Sequence, residues 1–158
     1  MATADQELEQ YLKNVEKIAP KLFFSFSDNV WDVINSTYED RACWTPEEIS
    51  NHIFEIHKFE IFLKHEISRH TTKIAYLNRL RKNMAGKHAM QYGDKFTKWE
   101  ERVTRYEAND GYCLRLQELI LDSEAYINEI KSHAYGLDNL ARALSNIYYS
   151  KKGRNESN

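Results

Sequence analysis

The stretch TPEEISNHIFEIHKFEIFLKHEISRHTTKIAYLNRLRKNMAG, residues 45–86, decides the fold. It opens Thr45-Pro46-Glu47-Glu48. Threonine is a favoured N-cap, proline suits the first helical position, and the Glu48 carboxylate can reach back to the cap. Ile49, Ile53, Ile56, Leu63, Ile67, Ile74, Leu77 and Met84 then recur at spacings of three and four, and the same seam passes through Glu60, His70 and Arg81. After Pro46, neither proline nor glycine interrupts this pattern before Gly86, a natural helix stop. The spacing predicts one helix of about 40 residues, about 60 Å long at 1.5 Å per residue. A helix of that length with a heptad-spaced seam requires a partner helix, from its own chain or from another copy.

The totals agree. A chain of 158 residues suffices for one domain with a modest core. It is 42% hydrophobic and 29% charged, and five glycines and two prolines leave little for hairpin turns, which is a helical composition. A mean hydropathy of −0.71 suits thin helices with much exposed surface. No run approaches the roughly 18 apolar residues of a membrane span, and the opening Met-Ala-Thr-Ala-Asp-Gln-Glu has no apolar leader segment. Cys43 and Cys113 stand apart, with no CxxC pair. Two reduced thiols in a cytoplasmic protein is the reading that follows.

The net charge of −2 conceals a segregation. Residues 1–57 hold four Lys/Arg against eleven Asp/Glu, a net −7; residues 58–105 hold twelve against five, a net +7; residues 106–158 hold six against eight, a net −2. Scattered charges are explained by a solvated helix face; a block of one sign points to partners.

Along the chain, Leu8, Leu12, Val15 and Ile18 predict a short helix over residues 4–18, ended by Pro20. An aromatic knot, Leu22-Phe23-Phe24-Ser25-Phe26, follows. It is either a small core tying the acidic arm to the long helix or an exposed docking surface. Ser27 or Asp28 caps a second helix running to about Asp40. Beyond the main helix, Gly86 to Gly93 reads as a turn. A second long helix then starts near Asp94, with Phe96, Trp99, Val103 and Tyr106 on one face. Asn109-Asp110-Gly111 marks a kink or break, after which Leu116, Leu119, Tyr126, Ile130, Leu137, Leu140, Leu144 and Ile147 form the seam. The predicted fold is all-α. A short acidic helical arm over residues 1–44 precedes a long antiparallel helical hairpin over residues 45–150, and residues 151–158 form a disordered tail.

Little here argues for catalysis. The chain has no P-loop, GxGxxG, GxSxG or HExxH. His52, His57, His65 and His70 lie five and eight apart, which scatters them around a helix, and the paired Glu-x-x-His motif of di-metal bundles is absent. The reading is no enzyme, no metal and no cofactor. The basic middle does carry a signal. Arg79, Arg81 and Lys82 come just before the turn and Lys87 and His88 follow, while Lys95, Lys98, Arg102 and Arg105 open the returning helix. An antiparallel hairpin brings these to one end. Cations interleaved with rings are what sequence-independent single-strand binding needs. Lys73, Arg79, Arg81, Lys82, Lys87, Lys95, Lys98 and Arg102 are therefore the candidate nucleic-acid contacts, and Tyr76, Tyr92 and Trp99 the candidate stacking platforms. The competing reading is a solvated basic tip with Phe96 and Trp99 in the hairpin seam. One tip binds weakly; several, joined by oligomerisation, bind through avidity.

Residues 51–86, NHIFEIHKFEIFLKHEISRHTTKIAYLNRLRKNMAG, resemble the long helix of the UvsY recombination mediators of T4-like phages, which is likewise basic in its second half. Arg105-Tyr106 before Asn109-Asp110, then EIKSHAYGLDNL over residues 129–140 and the terminal Ser150-Lys151-Lys152-Gly153, are similar to that family's C-terminal pattern. The likeness covers about residues 47–153 and rests on residue types at loose spacing. It implies a small, all-helical protein that assembles into homo-oligomeric rings and binds single-stranded DNA. It implies a mediator that helps a RecA-like recombinase load onto DNA coated by single-strand-binding protein, in the host cytoplasm, with no membrane association and no enzymatic activity. The family's DNA-contacting basic residues would fall on Arg79, Arg81 and Lys82. Two departures leave ring stoichiometry open: the acidic arm is longer, and the stretch between Asp110 and Tyr135 is shorter by about two helical turns. The alternative function is a helical adaptor or inhibitor that binds a host or phage protein, without nucleic acid, through the aromatic knot.

Overall fold

The computed structural model describes residues 2–18 and 28–155; the aromatic knot at residues 22–26 lies outside them. The described residues form an all-α structure with no strand. Six helices follow in order: α1 (Ala4–Ile18), α2 (Asp28–Asn35), α3 (Tyr38–Cys43), α4 (Pro46–His88), α5 (Trp99–Asn109) and α6 (Gly111–Asn155), with a 3-10 turn at Ala89–Gln91 after α4.

The cap expected at Thr45 forms. The Thr45 amide donates to Glu48 Oε2 at 2.7 Å and the Glu48 amide to Thr45 Oγ1 at 3.2 Å, so two otherwise orphaned donors are satisfied. From there α4 runs unbroken for 43 residues. Gly86 does not stop it, because Gly86 keeps a negative φ while Ala85 and Ala89 on either side are buried with Tyr106 and Cys113. Packing overrides the local weakness of glycine.

Other boundaries also differ from the sequence pattern. The second helix ends at Asn35, not near Asp40. Ser36 and Thr37 interrupt it: Ser36 Oγ donates to the Val33 carbonyl at 2.6 Å, and Thr37 with Asp40 builds a second capping box that starts α3. The returning helix begins at Trp99 rather than Asp94. At its far end α6 continues through Asn155, so the described part of the expected disordered tail is helical. Lys151 holds that end, donating to the Ala42 carbonyl at 2.7 Å and to the Trp44 carbonyl.

The chain divides into two compact units, one of Met1–Lys21 with Ser68–Asn128 and one of Leu22–Ile67 with Glu129–Asn158. Helix α1 falls in the first unit, and α2 and α3 in the second. In the first unit Ala4 and Leu8 of α1 pack with Leu77 of α4 and Leu116, Leu119 and Ile120 of α6. Ala85, Ala89, Tyr106 and Cys113 form a smaller cluster in the same unit. In the second unit Val30 and Val33 of α2 pack with Ile49, Ile56 and Leu63 of α4 and Ile130, Leu137, Ala141 and Leu144 of α6. The late half of α4 therefore meets the early half of α6, and the early half meets the late half. That is the pairing of an antiparallel helical hairpin.

Two leucines in one turn of α6 test this packing. Leu116 is fully buried and Leu114 is 47% exposed. Leu116→Ala is expected to cost about 2–5 kcal/mol in urea unfolding, and Leu114→Ala to stay within about 0.5 kcal/mol of the parent. Equal losses would contradict the register of α6.

Candidate nucleic-acid interface

All eleven candidate residues fall in the first unit. They divide by what their side chains touch. The loop between the 3-10 turn and α5 is built on Gly93, Asp94 and Thr97. Gly93 has φ +125°, a conformation that favours glycine, and a Cβ there would lie 2.7 Å from Thr97 Cβ and Oγ1. Asp94 Oδ1 accepts from the Phe96 amide at 2.9 Å and the Thr97 amide at 3.0 Å, and the Asp94 amide donates to Thr97 Oγ1 at 3.1 Å. Those donors, the Phe96 amide first, hold the Asp94 carboxyl below its ordinary range.

Arg102, in the first turns of α5, is 9% exposed and reaches back into this loop. Its guanidinium donates to the Met90 carbonyl at 2.8 Å, the Thr97 carbonyl at 3.1 Å and the Asp94 carbonyl, with the Gly93 carbonyl at 3.5 Å. A planar fork of five donors suits such a set of convergent carbonyls, and four of the five are committed to the loop. Arg102, expected on the nucleic-acid surface, is a loop clamp. Arg81 is similarly engaged: it pairs with Glu107 of α5 at 3.2 Å and donates to the Gln117 side-chain oxygen of α6. It ties three helices together.

The remaining cations stay on the surface. Arg79, Lys82, Lys87, Lys95 and Lys98 are exposed, and Lys73 is half-buried. Two of the expected stacking rings are covered. Tyr76 lies flat against Tyr11, with ring centroids 3.8 Å apart and planes 6° from parallel, and the Arg79 guanidinium sits 5.5 Å from its centroid. Tyr92 meets Tyr106 edge-on at 5.5 Å and packs on the small cluster. Trp99 is 45% exposed, as a platform requires. Among the described residues the ring most open to solvent is Phe96, 80% exposed, with Lys95 Nζ 5.0 Å from its centroid. The sequence pattern assigned Phe96 to a helix face. Gly93 and the Asp94–Thr97 pair mark a tight turn instead, and a ring held in such a turn has no helical seam to join. The loop thus presents Phe96, Lys95 and Lys98 on a pinned backbone, with Lys87 in the last turn of α4 before it and Trp99 at the start of α5 after it.

Other groups are poorly placed for chemistry. Burial pushes the Cys113 thiol up to about 11, so it is not a ready nucleophile. His52 packs on Trp44, His57 meets Glu60 and His70 lies over Tyr126. Among the described residues no three His, Cys, Asp or Glu side chains gather to hold a metal ion, and no helix is long and apolar enough to cross a membrane. No protein-family model, no curated protein and no solved structure matches the chain.

The clamp makes a distinct prediction. Arg102→Ala should speed amide exchange at Thr97 and Tyr92 by at least about tenfold, since each charged hydrogen bond contributes about 1.5–3 kcal/mol. The helical circular dichroism should persist. Arg102→Lys should not restore protection, because an ammonium cannot span the same carbonyls. Unchanged exchange in Arg102→Ala would remove the clamp.

Proposed function

We propose that the chain is a non-enzymatic single-stranded-DNA-binding protein whose primary contact is the turn over residues 87–99 with the adjoining outer face of α4. The observation that carries this reading is the exposure of Phe96, Lys95 and Lys98 on a loop whose backbone Arg102 holds, with exposed Lys87 and Trp99 at the helix ends that flank it. Exposed rings offer π-faces to any base, and lysines around them neutralise the strand that the bases belong to. A pre-ordered loop loses little entropy on binding. Arg79 and Lys82 extend the same charge along α4. The finer role, a recombination mediator that helps a RecA-like recombinase onto DNA coated by single-strand-binding protein, draws on the resemblance over residues 51–86 and 105–153. In that role several copies in a ring would combine weak tips into a tight contact.

A second reading keeps one observation in its favour. Trp31, Ile34 and Tyr38 are 53%, 39% and 77% exposed on α2 and α3 in the other unit, an apolar face of the kind that an adaptor or inhibitor presents to a protein.

Binding of a labelled oligo-dT against salt separates the two. The nucleic-acid reading expects a steep fall of log K with log salt. Lys87→Ala/Lys95→Ala/Lys98→Ala should flatten the slope by roughly 0.7 per lysine. Phe96→Ala and Trp99→Ala should each weaken binding by about 1–3 kcal/mol and leave the slope unchanged. A flat salt dependence, or no binding at low salt, would reject it in favour of the adaptor.

A further inference from the structure

The acidic helix α1 lies in the same unit as the cationic half of α4, and its contacts have an unusual composition. Asp5 grips Arg115 of α6 through both carboxylate oxygens, at 3.0 and 3.2 Å. Glu7 Oε2 accepts from the Tyr112 hydroxyl at 2.5 Å. Glu16 stands 3.5 Å from the Arg69 guanidinium. Between them Tyr11 lies flat on Tyr76. Anions set at intervals on guanidiniums, with a flat ring stacked on an aromatic between them, are the contacts that a nucleotide strand makes. Arg69, Lys73 and Tyr76 share one face of α4, being four and three residues apart.

We propose that α1 is an internal mimic of a nucleic-acid strand, lying over a second subsite in which it contacts Arg69, Tyr76 and Arg115, with Lys73 on the same face of α4 as Arg69 and Tyr76. The proposal rests on the nucleic-acid reading of the exposed turn. A single strand engages that turn first and then displaces α1 to reach the covered groups. The anchorage of α1 permits release. Among its described side chains only Ala4 and Leu8 are buried, while the Asp5–Arg115 pair is about half exposed on both sides and such pairs add little stability. A 15-residue helix once detached is marginal in water. Segments of this kind open locally well below the global unfolding free energy. Helix α1 carries Asp5, Glu7, Glu9 and Glu16 against Lys13 and Lys17, so it brings a net negative charge onto a basic half of α4 that would otherwise bind polyanions without restraint.

The test measures oligo-dT affinity by fluorescence anisotropy on the full chain. Asp5→Asn/Tyr11→Ala/Glu16→Gln keeps Ala4 and Leu8 and loosens the mimic. It should bind more tightly than the parent by roughly 5- to 150-fold, the usual span of a coupling between sites. Glu9→Gln/Glu124→Gln removes the same charge from exposed positions outside the subsite and should bind as the parent does. Tyr11→Ala alone, with every ion pair intact, should show part of the gain. Adding Tyr76→Ala to the triple variant should remove most of its gain, because the released subsite then lacks its ring. If the parent binds and the triple variant binds no more tightly than the charge control, the mimic is rejected while the exposed turn keeps its role. If neither binds at low salt, the nucleic-acid reading and the mimic fall together.

Discussion

The rotation of α4 about its own axis is the constraint on which the rest depends. Ile49, Ile56, Leu63 and Leu77 are buried, and each draws one side of the helix against α6 and a short helix of the same unit. Once Leu77 is turned inward, its neighbours have no choice. Arg81 is one turn further along the same side, and it finds Glu107 and Gln117 there rather than solvent. Arg79 and Lys82 are two and five residues from Leu77, roughly 140–160° away at about 100° per residue, and they face outward. A small apolar contact therefore sorts a dense run of cations into structural and available ones.

Each unit closes its seam with a short helix from the first third of the chain, and the two helices differ in chemistry. Helix α2 contributes Val30 and Val33 to an apolar cluster that holds nine buried side chains among the described residues. Helix α1 contributes Ala4, Leu8 and the half-buried Leu12, together with carboxylates and one ring. The first is a core element. The second sits on charge, and charge contacts at a half-exposed surface respond to salt and to competing polyanions in a way that apolar burial does not. The loop after α4 follows a third rule. Its backbone carbonyls converge on Arg102, so its shape is set from inside and its outward side chains are left to Phe96, Lys95 and Lys98.

The long helices were legible because their signals are local and redundant. The Thr45–Glu48 box, the Ile49-to-Met84 spacing and the Asn109-Asp110-Gly111 break each point the same way, and Asp110 caps α6 by accepting from the Cys113 amide at 2.8 Å. The seam itself placed Arg81 and Glu60 on the buried side; Glu60 is 8% exposed and Arg81 is internally paired. Counting Arg81 as a surface cation overlooked that periodicity. Arg102 was harder to see. Its partners are carbonyls at Met90, Gly93, Asp94 and Thr97, and backbone acceptors leave no mark in a sequence. The covering of Tyr76 by Tyr11 is a contact 65 residues apart in the chain. No spacing rule reaches that far, and only the docking of α1 reveals it.

Amide hydrogen exchange of the full chain, read residue by residue with and without saturating oligo-dT, tests the central claim most directly. Nucleic-acid binding at the turn with displacement of α1 predicts slower exchange over residues 87–99 and faster exchange over residues 4–18 in the same sample. Changes confined to residues 28–67 and 129–155, or none anywhere, would contradict it.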